Sequence, residues 1–358
     1  MADTTVSANL TVEQWDDRFF REWVRNSRFK RYTSTSPNAV IQIKQDLTTK
    51  KGNKITIPLV IRLKNAGVTG NQRLSGNEEA IGNYGHAIDV TFYRHGVLVT
   101  AEEDQKAPVA LRNLGKPLLM DWAMEHTRDK IIAALGAVAT ADGSNTAYAD
   151  ASEGDKDTWL ANNADRVLFG AAKLNNSSND HSASLANIDN TADKLTPDMV
   201  SLAKRMAATA DHHIRPIRVN DDEEWYVMFA NALAFRDLKT NATMTQANRE
   251  ARTRGTNNPL FRDGDLMWDG VIIREVPEIG VLSGVGAGSI DVAPNYLCGA
   301  QAVGVALASR WKTTQKKEDD YGFEFGIGIA QNYGVEKLFF NTKQHGLVTV
   351  YAAGVADS

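Results

Sequence analysis

In the stretch RDGDLMWDGVIIRE, residues 262–275, Asp263, Asp265, Asp269 and Glu275 fall within thirteen positions of one another. Carboxylates at that density have two chemical uses. They can supply oxygen ligands to a hard cation such as calcium, or a paired acid and base flanking a scissile bond. The calcium loop fails position by position. With Asp263 at position one, Asp265 fits position three, but Met267 stands at five, Trp268 at six where glycine is needed, and Arg274 at twelve where a bidentate glutamate closes the loop. Glu275 comes one residue late. Asp263, Asp265 and Asp269 stay open as a hydrolase or sugar-processing set, because sequence spacing does not exclude two carboxyl groups held about 5 Å apart. No base, nucleophile or metal set accompanies them. The simpler reading is a pair of Asp-Gly turns around a short apolar segment that leads into a strand.

Other chemistry is equally thin. None of His86, His95, His126, His181, His212, His213 and His345 forms a spaced metal pair, and the adjacent His212 and His213 diverge on either a helix or a strand. The lone Cys298 excludes an intramolecular disulfide and any multi-cysteine metal site, and its apolar surroundings mark it as a small core residue. Gly284, Gly286 and Gly288 stop short of a dinucleotide fingerprint, since Ser289 stands where the third glycine belongs and Pro294 follows instead of a helix. No Walker-type loop and no serine nucleophile elbow occurs. The expectation is no enzyme: no catalytic residue, no cofactor and no metal.

At 358 residues the chain is long enough for two to three domains and a sizeable core. Its 42% hydrophobic and 23% charged content is globular, which removes collagen-like, disordered and coiled-coil classes. The formal net charge of -4 gives no global pull towards nucleic acid or an anionic membrane, so any such contact is local. No basic-then-apolar leader opens the sequence, and the uncharged run from Val292 to Ser309, interrupted by Pro294, reads as core rather than as a membrane span. A soluble protein used in a cytoplasm is expected.

The positioning elements begin with an N-terminal helix. Thr11 and Gln14 form a capping-box pair; Trp15, Phe19 and Trp23 share one face, and Arg18, Arg21, Arg25 and Arg28 the opposite one. That basic face is either solvated or held against acidic protein or a phosphate backbone. Two strand patterns follow, with Ile55, Ile57, Leu59 and Ile61 alternating in the first and Ile88, Val90 and Phe92 in the second. A polar tip rich in Gly and Asn joins them into a long hairpin. A hairpin alone has one apolar face and no second layer to bury it, and Pro58 marks an edge. The expectation is an arm lying on another subunit.

Next, Leu118, Trp122, Ile131, Ile132 and Leu135 recur at helical spacing in a helix expected to start near Pro117 and close at Gly136. Thr140 to Leu195 reads as a polar surface elaboration with long loops and one amphipathic helix around Trp159, Val167 and Leu168, and LTPDMVSLAKRMAATAD as a capped helix with Pro197 in its first turn. The last third holds short strand runs, WYVMFANALAF, GVIIREV, FEFGIGIA, VEKLFF and LVTVYAA. Strands and helices in irregular order argue an α+β class.

This ordered set resembles the major capsid proteins of tailed bacteriophages, the fold named after the Hong Kong 97 phage, and within it the capsids typified by the N-four podophage. The likeness is carried by LFRDGDLMWDGVIIREVPEI, NYLCGAQAVGVALASRW and DDYGFEFGIGIAQNYGVEKLFFN. It implies an N-terminal arm (1–50), an extended hairpin loop (51–104), a spine helix and peripheral domain (105–215, with the polar insertion 140–195), an axial domain (216–309) and C-terminal strands (310–358) returning to the peripheral domain. It also implies hexamers and pentamers of an icosahedral shell around double-stranded DNA contacted non-specifically. Scaffolding, portal and decoration proteins are the further candidate partners, with no membrane. Assembly is expected in the host bacterial cytoplasm. The runner-up with the same fold is an encapsulin-like nanocompartment shell.

Overall fold

In a computed structural model the chain is described at residues 28–48, 52–60, 62–106, 111–140, 143–219, 223–250, 265–319, 321 and 323–356. It divides into two units: a larger one holding Arg28–Thr91, Arg128–Ala308 and Tyr333–Ser358, and a smaller one in which Phe92–Thr127 and Ser309–Asn332 are described. The elements used below are, in chain order, β1 (Ile41–Lys44), β2 (Lys54–Val60), β3 (Asn83–Asp89), β4 (Thr91–Thr100), α1 (Leu111–Gly136), α2 (Glu153–Asn162), β5 (Val167–Phe169) and α3 (Pro197–Thr209). They continue with β6 (Glu223–Ala230), α4 (Ala232–Thr240), β7 (Leu266–Trp268), β8 (Val271–Glu275), β9 (Val292–Cys298), β10 (Val303–Asp319), β11 (Glu324–Lys337) and β12 (Leu347–Ala353).

The larger unit is built on a mixed sheet in the order β7-β8-β6-β9-β12-β5, with Ile217–Val219 paired to β6. β6 runs parallel to β8 and antiparallel to β9, and β12 pairs β9 antiparallel and β5 in parallel. β9 and β12 are buried along their whole length because both faces are covered. Met228, Leu297, Val348 and Val350 pack against Met199, Val200, Ala203 and Met206 of α3. On the other face Val227, Phe229, Tyr296 and Cys298 meet Phe29, Ile131 and Leu135. α3 starts as its sequence signals: Thr196 accepts a hydrogen bond from the Met199 N–H at 3.3 Å and Pro197 occupies the first turn. Pro294 is tolerated in this central sheet because the ladder between β9 and β6 begins only at Tyr296.

In the smaller unit residues 309–319 of β10, 324–332 of β11 and 92–100 of β4 form a sheet in that order. The first half of α1 covers one face, with Leu119 and Ala123 buried on Ile329 and flanked by Trp122, Val97, Ile327 and Trp311. Gly115 lets the helix sit close there: a Cβ on it would lie 3.2 Å from Ile327 Cδ1. The helix begins at Leu111 rather than near Pro117, which sits inside it. One proline forfeits a single intrahelical bond, and the packing of α1 carries the helix through.

Three further expectations are corrected. Phe92 is not part of the hairpin: the paired strands run only from Lys54↔Asp89 to Val60↔Asn83, and Phe92 belongs to β4. The run WYVMFANALAF is strand only to Ala230; Asn231 caps α4, its Oδ1 accepting from the Leu233 N–H at 2.8 Å. Residues 140–195 keep long loops and a helix at Trp159, as expected, but Val167 and Leu168 lie in a strand and not in that helix, and the segment is not merely a surface elaboration. They carry α2 and β5 and bury Trp159, Leu160, Val167, Phe169, Leu185 and Ile188 in one cluster. β12 lies in the same sheet as β6 and β9.

Candidate assembly surfaces

The hairpin is the first surface. On β2 the side chains alternate, Ile55 and Ile57 inward and Lys54, Thr56 and Pro58 outward, and β3 answers with Ile88 and His86 inward. The inward face rests on this chain's own Ala306, Leu338 and Phe340, with Leu59 and Val90 partly covered beside them. The expectation that the arm has no support within its own chain is therefore corrected for its base. Ile55 and Ile57 keep 6% and 4% of their surface, and Ile88 none.

A polar cluster fastens the same base. His86 Nε2 lies 3.0 Å from Glu336 Oε2, Asn145 Nδ2 donates to that oxygen at 3.0 Å, and the Asp89 N–H donates to Oε1 at 3.3 Å. Burial pushes the Glu336 carboxyl up, but the hydrogen bonds from His86 and Asn145 outweigh it and hold the group below the usual carboxylate range.

At the far end of the paired strands and beyond them the character inverts. Val60, Leu63, Leu74 and Ile81 are exposed at 65%, 60%, 61% and 71%, and Tyr84 is exposed beside them. The tip is nonetheless shaped: Glu79 accepts from the Lys64 N–H at 2.8 Å and the Asn65 N–H at 2.8 Å, and these bonds lower its pKa. Ile61 lies outside the described residues. Large apolar side chains left exposed along one segment make it a candidate interaction surface.

The second surface is the root of the N-terminal segment. Arg18, Arg21 and Arg25 lie outside the described residues, and Arg28 stands half-buried where description begins. Phe29 is buried edge-on against Phe229, ring centroids 4.8 Å apart. The carboxylate that the sequence offered for chemistry clamps this root. Asp265 accepts from Tyr32 Oη at 3.1 Å, Arg274 Nη1 at 3.3 Å and Arg31 Nη1 at 3.5 Å, and the Arg274 guanidinium lies over the Tyr32 ring at 5.7 Å. Burial, then the nearby Asp265 charge, raises the Tyr32 phenol.

Asp269 and Gly270, with φ of 46° and 70°, form the two-residue turn joining β7 to β8. The Asp269 carboxylate is held by Lys204 Nζ at 2.9 Å. Asp265 and Asp269 thus have separate structural partners, while Asp263 lies outside the described residues. Among the described residues no group of three His, Cys, Asp or Glu side chains could hold a metal ion, and no helix is long and apolar enough to cross a membrane.

One cluster had no sequence signal. Arg166, 1% exposed, donates to the carbonyls of Gln344, His345, Asp211 and His212. Asn163 accepts from the Gln344 N–H at 2.8 Å, and the buried Lys337 Nζ donates to Gln344 Oε1 at 3.3 Å. Burial pushes the Lys337 amine down to about 7. It likewise lowers His345 to about 4, assisted by Arg166. Only a folded interior assembles such a network, so charged residues scattered in sequence gave no sign of it.

Comparison with known proteins places these surfaces in context. The family model described as phage capsid protein matches residues 3–356. The curated major capsid protein of Pseudomonas phage KPP25 is 29% identical over 368 residues, covering 97% of this chain and 96% of that one. The solved capsid asymmetric unit of cyanophage Pam1 is 36% identical with a TM-score of 0.93, each chain covered at 100%. The capsid of Ralstonia phage GP4 shares the fold, with a TM-score of 0.76 at 22% identity and 100% coverage of both chains.

Proposed function

The chain belongs to the phage capsid protein family, and from that premise we propose that the tip of its hairpin is the arm by which neighbouring copies interlock. The protein is the major capsid protein of a phage head, built from capsomers, with the α+β capsid fold; the encapsulin-like and hydrolase readings give way to it. Beyond that, the shell encloses double-stranded DNA and is assembled in the host bacterial cytoplasm, with portal, scaffolding and decoration proteins as further candidate partners. The smaller unit with α1 is assigned to the peripheral domain and spine. The sheet of the larger unit is assigned to the axial domain, now with β12 and β5 included. Asp265 and Asp269 act as structural ties, so the role is non-enzymatic.

The observation that carries the arm is the contrast along one hairpin, buried at its base on its own chain and exposed through Val60, Leu63, Leu74 and Ile81 at its tip. Burying a side chain of this kind contributes about 1.5–3 kcal/mol, so four per copy supply about 6 kcal/mol or more of assembly free energy. Replacing all four by serine touches no buried contact of the isolated chain. Circular dichroism and thermal unfolding of the monomer should stay as in the wild type, while negative-stain microscopy should show no shells. Normal shells from this variant would remove the tip as the interlocking element.

A further inference from the structure

We propose that the open face of the β10-β11-β4 sheet is a docking surface for the phosphate backbone of double-stranded DNA, an assignment that rests on the reading that the shell encloses DNA. α1 covers one face of this sheet, through Leu119 and Ala123 on Ile329. Trp311 of β10 faces that helix, so alternation turns Arg310, Lys312, Thr314 and Lys316 to the opposite side.

The glycines of β11 confirm the register. A Cβ built on Gly326 would lie 3.1 Å from Lys316 Cβ and 3.7 Å from Leu98 Cδ1, and one built on Gly328 would lie 3.3 Å from Thr314 Oγ1. The middle strand is thus a floor without side chains at Gly326 and Gly328. One wall is the basic row of β10; the other is Phe92, Arg94 and Leu98 of β4, with Phe92 67% and Leu98 53% exposed.

The charge on this face selects the occupant. Arg94, Arg310 and Lys312 are exposed and make no ion pair among the described residues, so their cationic heads are available to an outside anion. Glu324 is the acidic residue set on the same face of β11. Alternate residues of a strand stand about 6.8 Å apart, close to two axial phosphate intervals of about 3.4 Å on one DNA strand. Cationic side chains on a flat sheet face fit a phosphate backbone, and with no strand or helix to enter a groove and no partner holding the arginine forks in one orientation, binding is sequence-independent. The sequence had placed such contact on the N-terminal arginines; the described surface offers a second location.

The test uses the full-length protein assembled into capsomers or shells, with assembly followed by negative-stain microscopy. Arg94→Gln, Arg310→Gln and Lys312→Gln are combined, and binding of a fluorescent mixed-sequence DNA duplex is measured by anisotropy between 50 and 200 mM NaCl. Each phosphate contact contributes about 0.9 to the slope of log affinity against log salt, so the triple variant should lose about 2.7 from that slope and bind at least about tenfold more weakly. Wild-type affinity and slope in the assembled variant would overturn the proposal. So would a loss confined to Arg18, Arg21, Arg25 and Arg28→Gln, which would keep the DNA reading and move it to the arm. Preference for poly-glutamate over duplex would overturn it in favour of an acidic protein partner. Shells of the wild-type protein that bind no duplex would remove both this surface and the DNA contact while leaving the capsid role intact.

Discussion

Replacing Lys337 by methionine should stabilise the protein at neutral pH and flatten its alkaline stability profile. Lys337 is 1% exposed, and its Nζ has a single hydrogen bond among the described residues, to Gln344 Oε1 at 3.3 Å. It also lies 5.6 Å over the Trp159 ring and 5.3 Å over the Phe339 ring. Burial lowers its pKa from 10.5 to about 7, against a smaller upward pull from Cys298. At 1.36 kcal/mol per unit, the charged form costs the folded state about 4 kcal/mol at pH 7. Losing the bond to Gln344 and the two ring contacts returns about 2 kcal/mol of that. The net expectation for Lys337→Met is a gain of about 2 kcal/mol.

The pH dependence follows from which state holds the proton. Between pH 7 and the ordinary lysine range the unfolded chain keeps its proton while the folded chain has released it, so wild-type stability rises with pH. From pH 7 to 8.5 the Lys337 contribution is about 2 kcal/mol; below pH 7 the full penalty applies. Buried Cys298 and the buried tyrosines are shifted upward and pull the other way at higher pH, but they do so in both proteins and cancel in the difference. Urea unfolding at pH 7.0 and 8.5, followed by tryptophan fluorescence, measures both quantities. Parallel pH profiles for the two proteins would show that Lys337 is not a buried, neutralised amine.

Two further substitutions test the ties described above. Asp265→Asn weakens the clamp on Tyr32 and Arg274 and should cost about 1.5–3 kcal/mol, the range for a hydrogen bond to a charged group; urea midpoints measure it, and an unchanged midpoint would refute the clamp. Glu336→Gln should loosen the hairpin base, seen as faster amide exchange in β3 at pH 7 with β9 unaffected. Because the Glu336 pKa is lowered, its contribution is present at neutral pH and fades as the pH falls through that lowered value, so wild type and variant should converge in acid.

How much of this was legible in sequence varied with the kind of signal. Period-two alternation gave the inward faces at Ile55, Ile57 and Ile88, and Thr196 with Pro197 gave the start of α3, because both are local rules. The Asp269-Gly270 turn was legible for the same reason. Alternation could not register the change of partner near Val90. The chain continues extended from β3 into β4, so the pattern runs on to Phe92 while the pairing does not. The helix at Trp159 was legible, but the strand at Val167–Phe169 and the cluster the two build were not: three apolar residues in a row are too few to separate a strand from a continuing helix. Arg166 and Lys337 were invisible because a buried charge is defined by residues distant in sequence.

The division of the hairpin into a self-supported base and an exposed tip has an energetic consequence for assembly. Docking a disordered arm would cost about 1–2 kcal/mol of backbone entropy for every residue ordered on contact. Here the base strands are paired over seven residues and buried on Ala306, Leu338 and Phe340, while Glu79 ties the two sides of the tip through Lys64 and Asn65. That ordering is complete before a neighbour arrives, so more of the apolar burial at the tip remains as association free energy. On the proposed reading of the hairpin as the interlocking arm, the polar cluster at Glu336 holds its base in place and the side chains from Val60 to Ile81 supply the contact with the neighbour.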